Sequence, residues 1–531
     1  MAPAPSWRAP AVPLVVHDPY LSVWSASDEL TAQWPVHWSG QPRPIAGMAW
    51  IDGEPFRFIG KNTPLSEVDI PAMRQTRISV LPTSTTYDFE AGGIELALRF
   101  TSPVLPDDLD VLARPVTYVD CTVRALDGRE HEVSLYLDVA AVWAVAMPEQ
   151  RVIWGRHRAG DVETLWVGSK DQAVLERASD EIGIEWGYLH LSAAPGQAGA
   201  GAIGEGKTLR ADFARTGRIE ARDDVGFGVR LSMPAPAASV TRPNEQGFEE
   251  GRPPLIVVAA SAAPRSVGAQ ALTSSFLIAY DQGFAVEYFG RRLRPLWYES
   301  AGSALGLIER AWAERESLLE RSARFDADLW QEAEASGGTS YARLASLAFR
   351  QCLGGHALVR DHDGRLLHFS KENSSNGCMG TVDVLYPASP FFLLFNPALL
   401  EAQLEPILAL ASSPAWPFRS RRTTSAGSRL PTARSTAAAC IPRTARCRSR
   451  SAATCCSAPP DWRRSPAARR SRAAIGRRSK PGPTTCSSTA STRRSSSAPT
   501  TSPVTSPTTP TSRSRPSSRW PPSPSCAPKG G

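Results

Sequence analysis

After Phe418 the chain changes its alphabet. From Arg419 to Gly531 it carries 21 Arg and 2 Lys against a single acid, Asp461, a net of +22 over 113 residues. The remaining 36 basic and 51 acidic residues give residues 1–418 a net of −15. The total of +7 describes neither part, so a nucleic-acid function read from the whole-chain charge is an artefact of averaging. The same stretch holds one Leu, two Ile, one Val and no Phe, Tyr or Met. It cannot bury enough apolar area to offset its ordering entropy and is expected to be disordered. Any folded core must come from the first 418 residues, enough for two or three domains.

Cysteine follows the same division. Cys121, Cys352 and Cys378 precede Arg419 and six more crowd the tail. Three widely spaced thiols do not make a disulfide framework. No run approaches the roughly 18 uninterrupted apolar residues of a membrane helix, so no membrane span is expected. The N-terminus, MAPAPSWRAPAVPLVVHDPYL, has an apolar patch only at Val12 to Val16, broken by Pro13 and preceded by no basic cluster. That reads as a cytoplasmic start; a misassigned start codon would instead imply secretion.

Between about residues 10 and 300 apolar residues recur at every second position, as in Val133, Leu135, Leu137 and Val139, or Val119, Cys121 and Val123. This period buries one face of a strand. Asp52-Gly53 and Asp127-Gly128 punctuate the runs at hairpin spacing, which predicts a large antiparallel β-sandwich. Trp24, Trp34, Trp38 and Trp50 suit its core better than a carbohydrate platform. Near Ser303 the period becomes helical, with Leu305, Ile308, Trp312 and Leu319 on one stripe. A break at Ser336-Gly337-Gly338 precedes a second helix through Tyr341, Leu344, Leu347 and Ala348. A third runs from Pro397 through Leu400, Leu404 and Leu408 and ends before Pro414.

The tail carries a second reading. If its DNA is read one base earlier, each residue's first two bases become the last two of a new codon. Ser (TCN) then becomes Phe, Leu, Ile or Val; Thr becomes Asp, Asn, His or Tyr; Cys becomes Leu, Met or Val. With a suitable choice of synonymous codons, Arg419 to Ala426 can be read as PFAPHDVG, Cys447 to Ser457 as MPVEECGNMLL, and Thr500 to Ser512 as DDFAGHLAHNANL, all in one frame. Loss of one C from a TTCCC run at Phe418 would suffice for the shift.

Three stretches carry a resemblance: VPLVVHDPYLSVW at the N-terminus, Gln33 to Gly40 (QWPVHWSG), and Phe369 to Val384 (FSKENSSNGCMGTVDV). The chain resembles the glutaminase A family nearly continuously from residue 11 to 418. The resemblance implies an N-terminal β-sandwich region followed by a central six-hairpin (α/α)6 toroid, a fold shared with many glycosidases. The expected fold is therefore a large antiparallel β-sandwich, then the first hairpins of an (α/α)6 toroid, then the disordered tail. Expected boundaries are 1–85 for an N-terminal family-like segment, 86–302 for the sandwich, 303–418 for the partial toroid and 419–531 for the tail. A ring stopped after its first hairpins leaves apolar helix faces unpartnered, so the chain as written is expected to be inactive and poorly soluble.

The resemblance implies hydrolysis of glutamine's amide, which needs an activated water or nucleophile, a proton donor for departing ammonia, and anchors for the amino acid. The polar segment 371–383 concentrates suitable groups. Glu372 is the candidate acid or base, Asp383 its partner or an ammonium anchor, and Lys371 a carboxylate anchor, with Asn373 and Asn376 as substrate contacts. Helix capping and loop-amide satisfaction would employ the same side chains. A carboxylate pair also serves sugar hydrolysis, so a six-hairpin glycosidase is the rival, and the small-molecule substrate is glutamine or a sugar. A second rival is a sandwich-based binding protein with a basic nucleic-acid-binding tail.

Three other motifs have simpler readings. Asp361-His362-Asp363-Gly364, with His368 nearby, alternates metal-ligand types, but Asp-Gly between Val359 and Leu366 reads as a hairpin turn. Gly199 to Gly204 satisfies GxGxxG without a helical pattern after it and reads as a flexible loop. Cys352 reads as a buried small residue, and Cys378 as no catalytic thiolate. No cofactor or metal is implied.

Overall fold

The computed structural model describes residues 9–62, 69–147, 150–159, 161–176, 183–223, 229–231, 256–371, 378–413 and 426–427. Two sheets face each other. The larger runs, from edge to edge, Val229–Leu231, Arg151–Ala159, Val162–Ser169, Tyr188–Ala193, Leu272–Asp281, Val116–Ala125, Ile94–Thr101, Ser84–Ala91 and Arg74–Val80. The smaller runs Arg222–Asp223, Ala198–Glu205, Ile256–Val267, His131–Ala140, Ile45–Ile51 and Glu54–Ile59. All pairings in them are antiparallel except the short one between Ala198–Glu205 and Arg222–Asp223. Met48, Leu135 and Leu137 from one sheet and Phe89, Leu96 and Val119 from the other share a single apolar core. The region is thus the β-sandwich that the alternating apolar period implies.

The alternation understates the burial. Strand His131–Ala140 buries nine of its ten residues, including Ser134, Tyr136 and Asp138 on its second face. Helix Gly206–Thr216 covers that face: Phe213 packs on Tyr136 with ring centroids 5.2 Å apart, and Arg210 clasps Asp138. Asp52-Gly53 makes the expected two-residue hairpin, with both residues at positive φ (49° and 98°) and Ile51 paired to Glu54. Asp127-Gly128 does not. Its flanking strands, Val116–Ala125 and His131–Ala140, lie in different sheets, so the turn is a corner between the layers. Trp24 and Trp34 are core residues, whereas Trp38 and Trp50 are half-buried.

Gly187 opens strand Tyr188–Ala193 with φ 78°, and a Cβ placed there would stand 2.1 Å from the Asp281 carbonyl oxygen. Backbone cannot yield to so close an approach. Gly187→Ala is expected to lower unfolding free energy by about 2–4 kcal/mol, read from urea denaturation.

The N-terminal strands Val12–Val16, Ser22–Ser25 and Val36–His37 form a small sheet of their own. Thr85 Oγ1 donates to the Pro13 carbonyl at 2.7 Å, which ties this sheet to the sandwich. Residue 85 itself lies inside strand Ser84–Ala91.

The helical region begins at Ala304–Ala313, where the Ser303 side chain accepts from the Gly306 amide at 3.1 Å. The long helix Arg315–Gly354 is broken at Gly338 (φ 77°, ψ 177°), within the expected Ser336-Gly337-Gly338 break. Its second half is latched to the sandwich by Arg350, fully buried, whose Nε and Nη2 donate to Pro82 and Leu81 carbonyls, each at 2.8 Å. From the first half, Asp326 accepts the Thr83 amide at 2.7 Å and the Ser84 hydroxyl at 2.8 Å.

The faces are not those the sequence pattern selects. Ala342, Ser346, Phe349 and Leu353 are buried, while Tyr341, Leu344 and Ala348 are exposed. In helix Pro397–Ser412 the buried stripe is Leu399, Ala402, Gln403, Pro406, Ile407 and Leu410, and the expected Leu404 and Leu408 point outward. A further helix, Val382–Phe395, is not among the three that the sequence pattern selects; Pro387 and Pro390 hide its pattern. Ala426–Gly427 pairs with Cys378–Met379, so the expected disordered tail is corrected at those two residues. Residues 428–531 lie outside the described residues.

Candidate active site

Hairpin His356–Arg360 and Leu366–Ser370 delivers the chain to Lys371. There the Lys371 amide donates to the Gly355 carbonyl at 3.1 Å, Lys371 bridges to Met379, and the Gly380 amide donates to the Ser370 carbonyl at 2.9 Å. These bonds hold Lys371 beside Met379 and Gly380. Lys371 is buried, with its ammonium 5.6 Å from the centre of the Tyr20 ring. Tyr20 in turn meets Trp186 edge-on at 5.3 Å.

Asp383 occupies the first turn of helix Val382–Phe395, exposed and without an ion pair among the described residues. Glu372, Asn373 and Asn376 lie outside the described residues. The structure therefore places two of the five sequence-predicted residues, Lys371 buried and Asp383 on the surface.

Tyr20 and His37 from the N-terminal stretches face Lys371, and neither they nor the neighbouring Asp18 carry a role in the sequence pattern. Asp18 Oδ1 accepts the amides of Tyr20 and Leu21 at 2.8 and 2.9 Å, and its Oδ2 accepts from Gln282. Burial raises the Asp18 carboxyl above its ordinary range despite these bonds. His37 Nε2 lies 2.9 Å from the Pro19 carbonyl, which only accepts, so Nε2 carries the proton. Nδ1 is then the acceptor, 2.7 Å from the Ser39 hydroxyl. Burial, with the nearby Arg43 and Lys371 cations, lowers the His37 pKa to about 3. The signal was present, since these residues stand inside the two N-terminal stretches that carry the resemblance. The fold brings both to the third.

A narrow cavity of about 30 Å³ adjoins this region, lined among others by His17, Asp18, Gln282, Trp297, His356 and His368. It includes neither Lys371 nor Asp383. His356 and His368 lie with ring centres 4.7 Å apart and planes tilted by 34°, both edge-to-face with Phe392. His356 Nδ1 lies 2.6 Å from the Cys352 carbonyl and so donates, which leaves Nε2 with a free lone pair. Burial lowers its pKa to about 4. The cavity is a water-sized space lined in part by imidazoles whose pKa burial lowers.

The remaining motifs resolve simply. Asp361 caps the expected hairpin turn, accepting the His362 amide at 2.8 Å and pairing with Arg291 at 2.8 Å, with Gly364 at φ 85°. Gly199 to Gly204 is not a flexible loop. It lies in strand Ala198–Glu205 and is followed directly by helix Gly206–Thr216. Its glycines admit neighbours: a Cβ on Gly199 would stand 2.7 Å from Ser261 Oγ, and one on Gly201 2.8 Å from Glu163. Glu205 at the helix start opposes a phosphate there, so the dinucleotide reading gains nothing. Burial raises the Cys352 thiol to about 12 and keeps it protonated.

Residues 2–68 and 83–332 match two domains of unknown function, DUF4964 and DUF5127, and residues 338–439 match the glutaminase A six helical-hairpin domain. The chain is 28% identical over 430 residues to glutaminase A of Aspergillus oryzae, an alignment covering 77% of this chain and 57% of that protein. It is 27% identical over 434 residues to a probable glutaminase of Arthroderma benhamiae, covering 76% and 47%. The chain spans about half the length of the curated relatives it matches. A solved structure named "Putative kojibiose phosphorylase from human microbiome" covers 75% of this chain and 47% of its own at 9% identity, with a TM-score of 0.36, too slight a likeness to carry an argument.

Proposed function

The chain belongs to the glutaminase A family, and from that premise we propose that its intact helical domain hydrolyses the side-chain amide of glutamine to glutamate and ammonia, and that the chain as written does not. One observation supports placing the site at the 371–380 segment: the buried Lys371 cation, held against Tyr20 and the neutral His37. A buried ammonium group suits the α-carboxylate of an amino acid. In this reading Lys371 anchors that carboxylate, and Asn373 and Asn376 orient the amide. Glu372 takes a proton from the attacking water and passes it to the departing ammonia. Asp383 holds the substrate ammonium or partners Glu372.

The test is ammonia release from glutamine, against reducing-sugar release from oligosaccharides, by protein carrying one restored base at Phe418. Sugar release alone would overturn the reading in favour of a glycosidase. In that active protein Lys371→Met is expected to raise KM for glutamine by about 10- to 100-fold with a smaller change in kcat, and Lys371→Arg to recover part of the loss. An unchanged KM would remove Lys371 from the carboxylate site.

A further inference from the structure

The three helices beyond Gly338 are apolar on two sides, and among the described residues only one side is covered. In Val382–Phe395 the exposed positions Tyr386, Pro387, Pro390, Leu393 and Leu394 follow helical spacing and form a stripe opposite buried Leu385 and Phe392. Leu394 is 64% exposed, Tyr386 54% and Leu393 53%. In Pro397–Ser412, Leu404 and Leu408 recur one turn apart on the outer face. In the second half of Arg315–Gly354 the outer residues are Tyr341 and Leu344, the latter 58% exposed. Single exposed apolar residues are ordinary, but a stripe on each of three neighbouring helices marks a surface built to be covered.

We propose that these stripes seat further helices of the same domain, and that those helices are encoded by the DNA of residues 419–531 read one base earlier. The tail as written cannot supply them. Among its 24 Ser, 6 Cys and 2 Trp, however, every Cys and Trp codon and every TCN serine would yield Phe, Leu, Ile, Val or Met in the earlier frame, against one Leu, two Ile and one Val now, whereas an AGY serine, as Ser451 is in the reading above, would yield a polar residue. With suitable synonymous codons the segments at 419–426, 447–457 and 500–512 can be read in that one frame as sequences mixing apolar residues with acids, histidines and glycines. The alignment to the Aspergillus oryzae protein covers 77% of this chain, close to the share that lies before Arg419. The six helical-hairpin match ends at residue 439 and leaves 92 residues beyond it. The pairing of Ala426–Gly427 with Cys378–Met379 is a main-chain contact, which either frame could make. This inference stands on composition and on the exposed stripes, and does not require that the substrate be glutamine.

The first test is the coding DNA itself, whose third bases fix every residue of the earlier frame. The expected result is a frame open through the codon of Thr500 and past that of Gly531; a stop codon before Thr500 overturns the proposal. The second test restores one C after the Phe418 codon and compares the two full chains. The restored chain is expected to be monomeric and to bind the apolar dye ANS several-fold less than the chain as written; equal dye binding overturns the proposal. Leu394→Glu then separates a seat from a bare surface. It is expected to lower Tm by several degrees in the restored chain and to reduce dye binding in the chain as written. A restored chain indifferent to Leu394→Glu shows that nothing sits there. None of these readouts uses ammonia, so a wrong substrate and a wrong frame are told apart.

Discussion

Lowering the pH from 7 to about 4.5 is expected to unfold this protein. His17, His37 and His190 are buried imidazoles with pKa lowered to about 3, and His356 is lowered to about 4, against 6.5 for the free side chain. Burial is the main cause in each, joined by Arg350 at His17, Arg43 at His37 and His157 at His190. Such a group binds its proton first in the unfolded chain. Its stabilising contribution is complete above pH 6.5 and falls as pH drops toward the folded value. Each unit below 6.5 costs about 1.4 kcal/mol per histidine, so at pH 4.5 these four remove roughly 11 kcal/mol. That is comparable with the whole stability of a typical domain, about 5–15 kcal/mol. Asp18 and Asp326, whose carboxyls are raised by burial, protonate first in the folded state and offset part of the loss. Tryptophan fluorescence and circular dichroism followed from pH 7 to 3 check this. A protein still folded at pH 4 would show that water reaches the imidazoles.

Asp138→Ala is expected to destabilise the protein by about 3–5 kcal/mol, the largest effect of any single substitution considered. Asp138 is fully buried in strand His131–Ala140, where Arg210 Nε and Nη2 donate to its two oxygens at 2.7 and 2.8 Å and the Tyr136 hydroxyl adds a bond of 2.8 Å. Removing the carboxylate leaves a guanidinium under the sandwich, stacked 5.1 Å over Trp34, with no counter-charge for its inner donors. The cost comes from that stranded charge more than from the lost bonds. The double variant Asp138→Leu with Arg210→Met removes both charges and is expected to recover most of the stability. Urea titrations with unchanged m-values measure both effects. If the double variant were as unstable as the single one, the pair would contribute through its own bonding and not by mutual neutralisation.

The sandwich was legible because strands advertise themselves locally. Val133, Leu135, Leu137 and Val139 are buried as their period implies, and Asp52-Gly53 turns as its type demands. What alternation cannot show is the second layer, so the burial of Tyr136 and Asp138 beneath helix Gly206–Thr216 went unread. It also cannot show which sheet receives the next strand, as at Asp127-Gly128. In the first helical stripe the phase was right, with Ile308 buried and Trp312 and Leu319 packed on the core. In the second and third it was wrong, since Leu344, Leu404 and Leu408 are the apolar residues a sequence stripe selects, yet the chain buries Ser346 and Gln403 in their stead. Helix Val382–Phe395 escaped notice because Pro387 and Pro390 argue against a helix interior. At the candidate site Lys371 was legible only through resemblance. Its neighbours Tyr20 and His37 lie more than 330 residues away in sequence, a separation that no local pattern spans.

The latches between the first strands and the long helix also set a timetable. Strand Val12–Val16 leaves the ribosome early, whereas Gly354, whose missing side chain makes room for Val16, and Arg350, which grips Pro82 and Leu81, are added some 270 to 340 residues later. At translation speeds of about 5–20 residues per second that interval is roughly 15 to 70 seconds. Throughout it the VPLVV stretch is an adhesive edge without its final cover, and chaperone demand during synthesis should fall on the first twenty residues before any other part of the nascent chain.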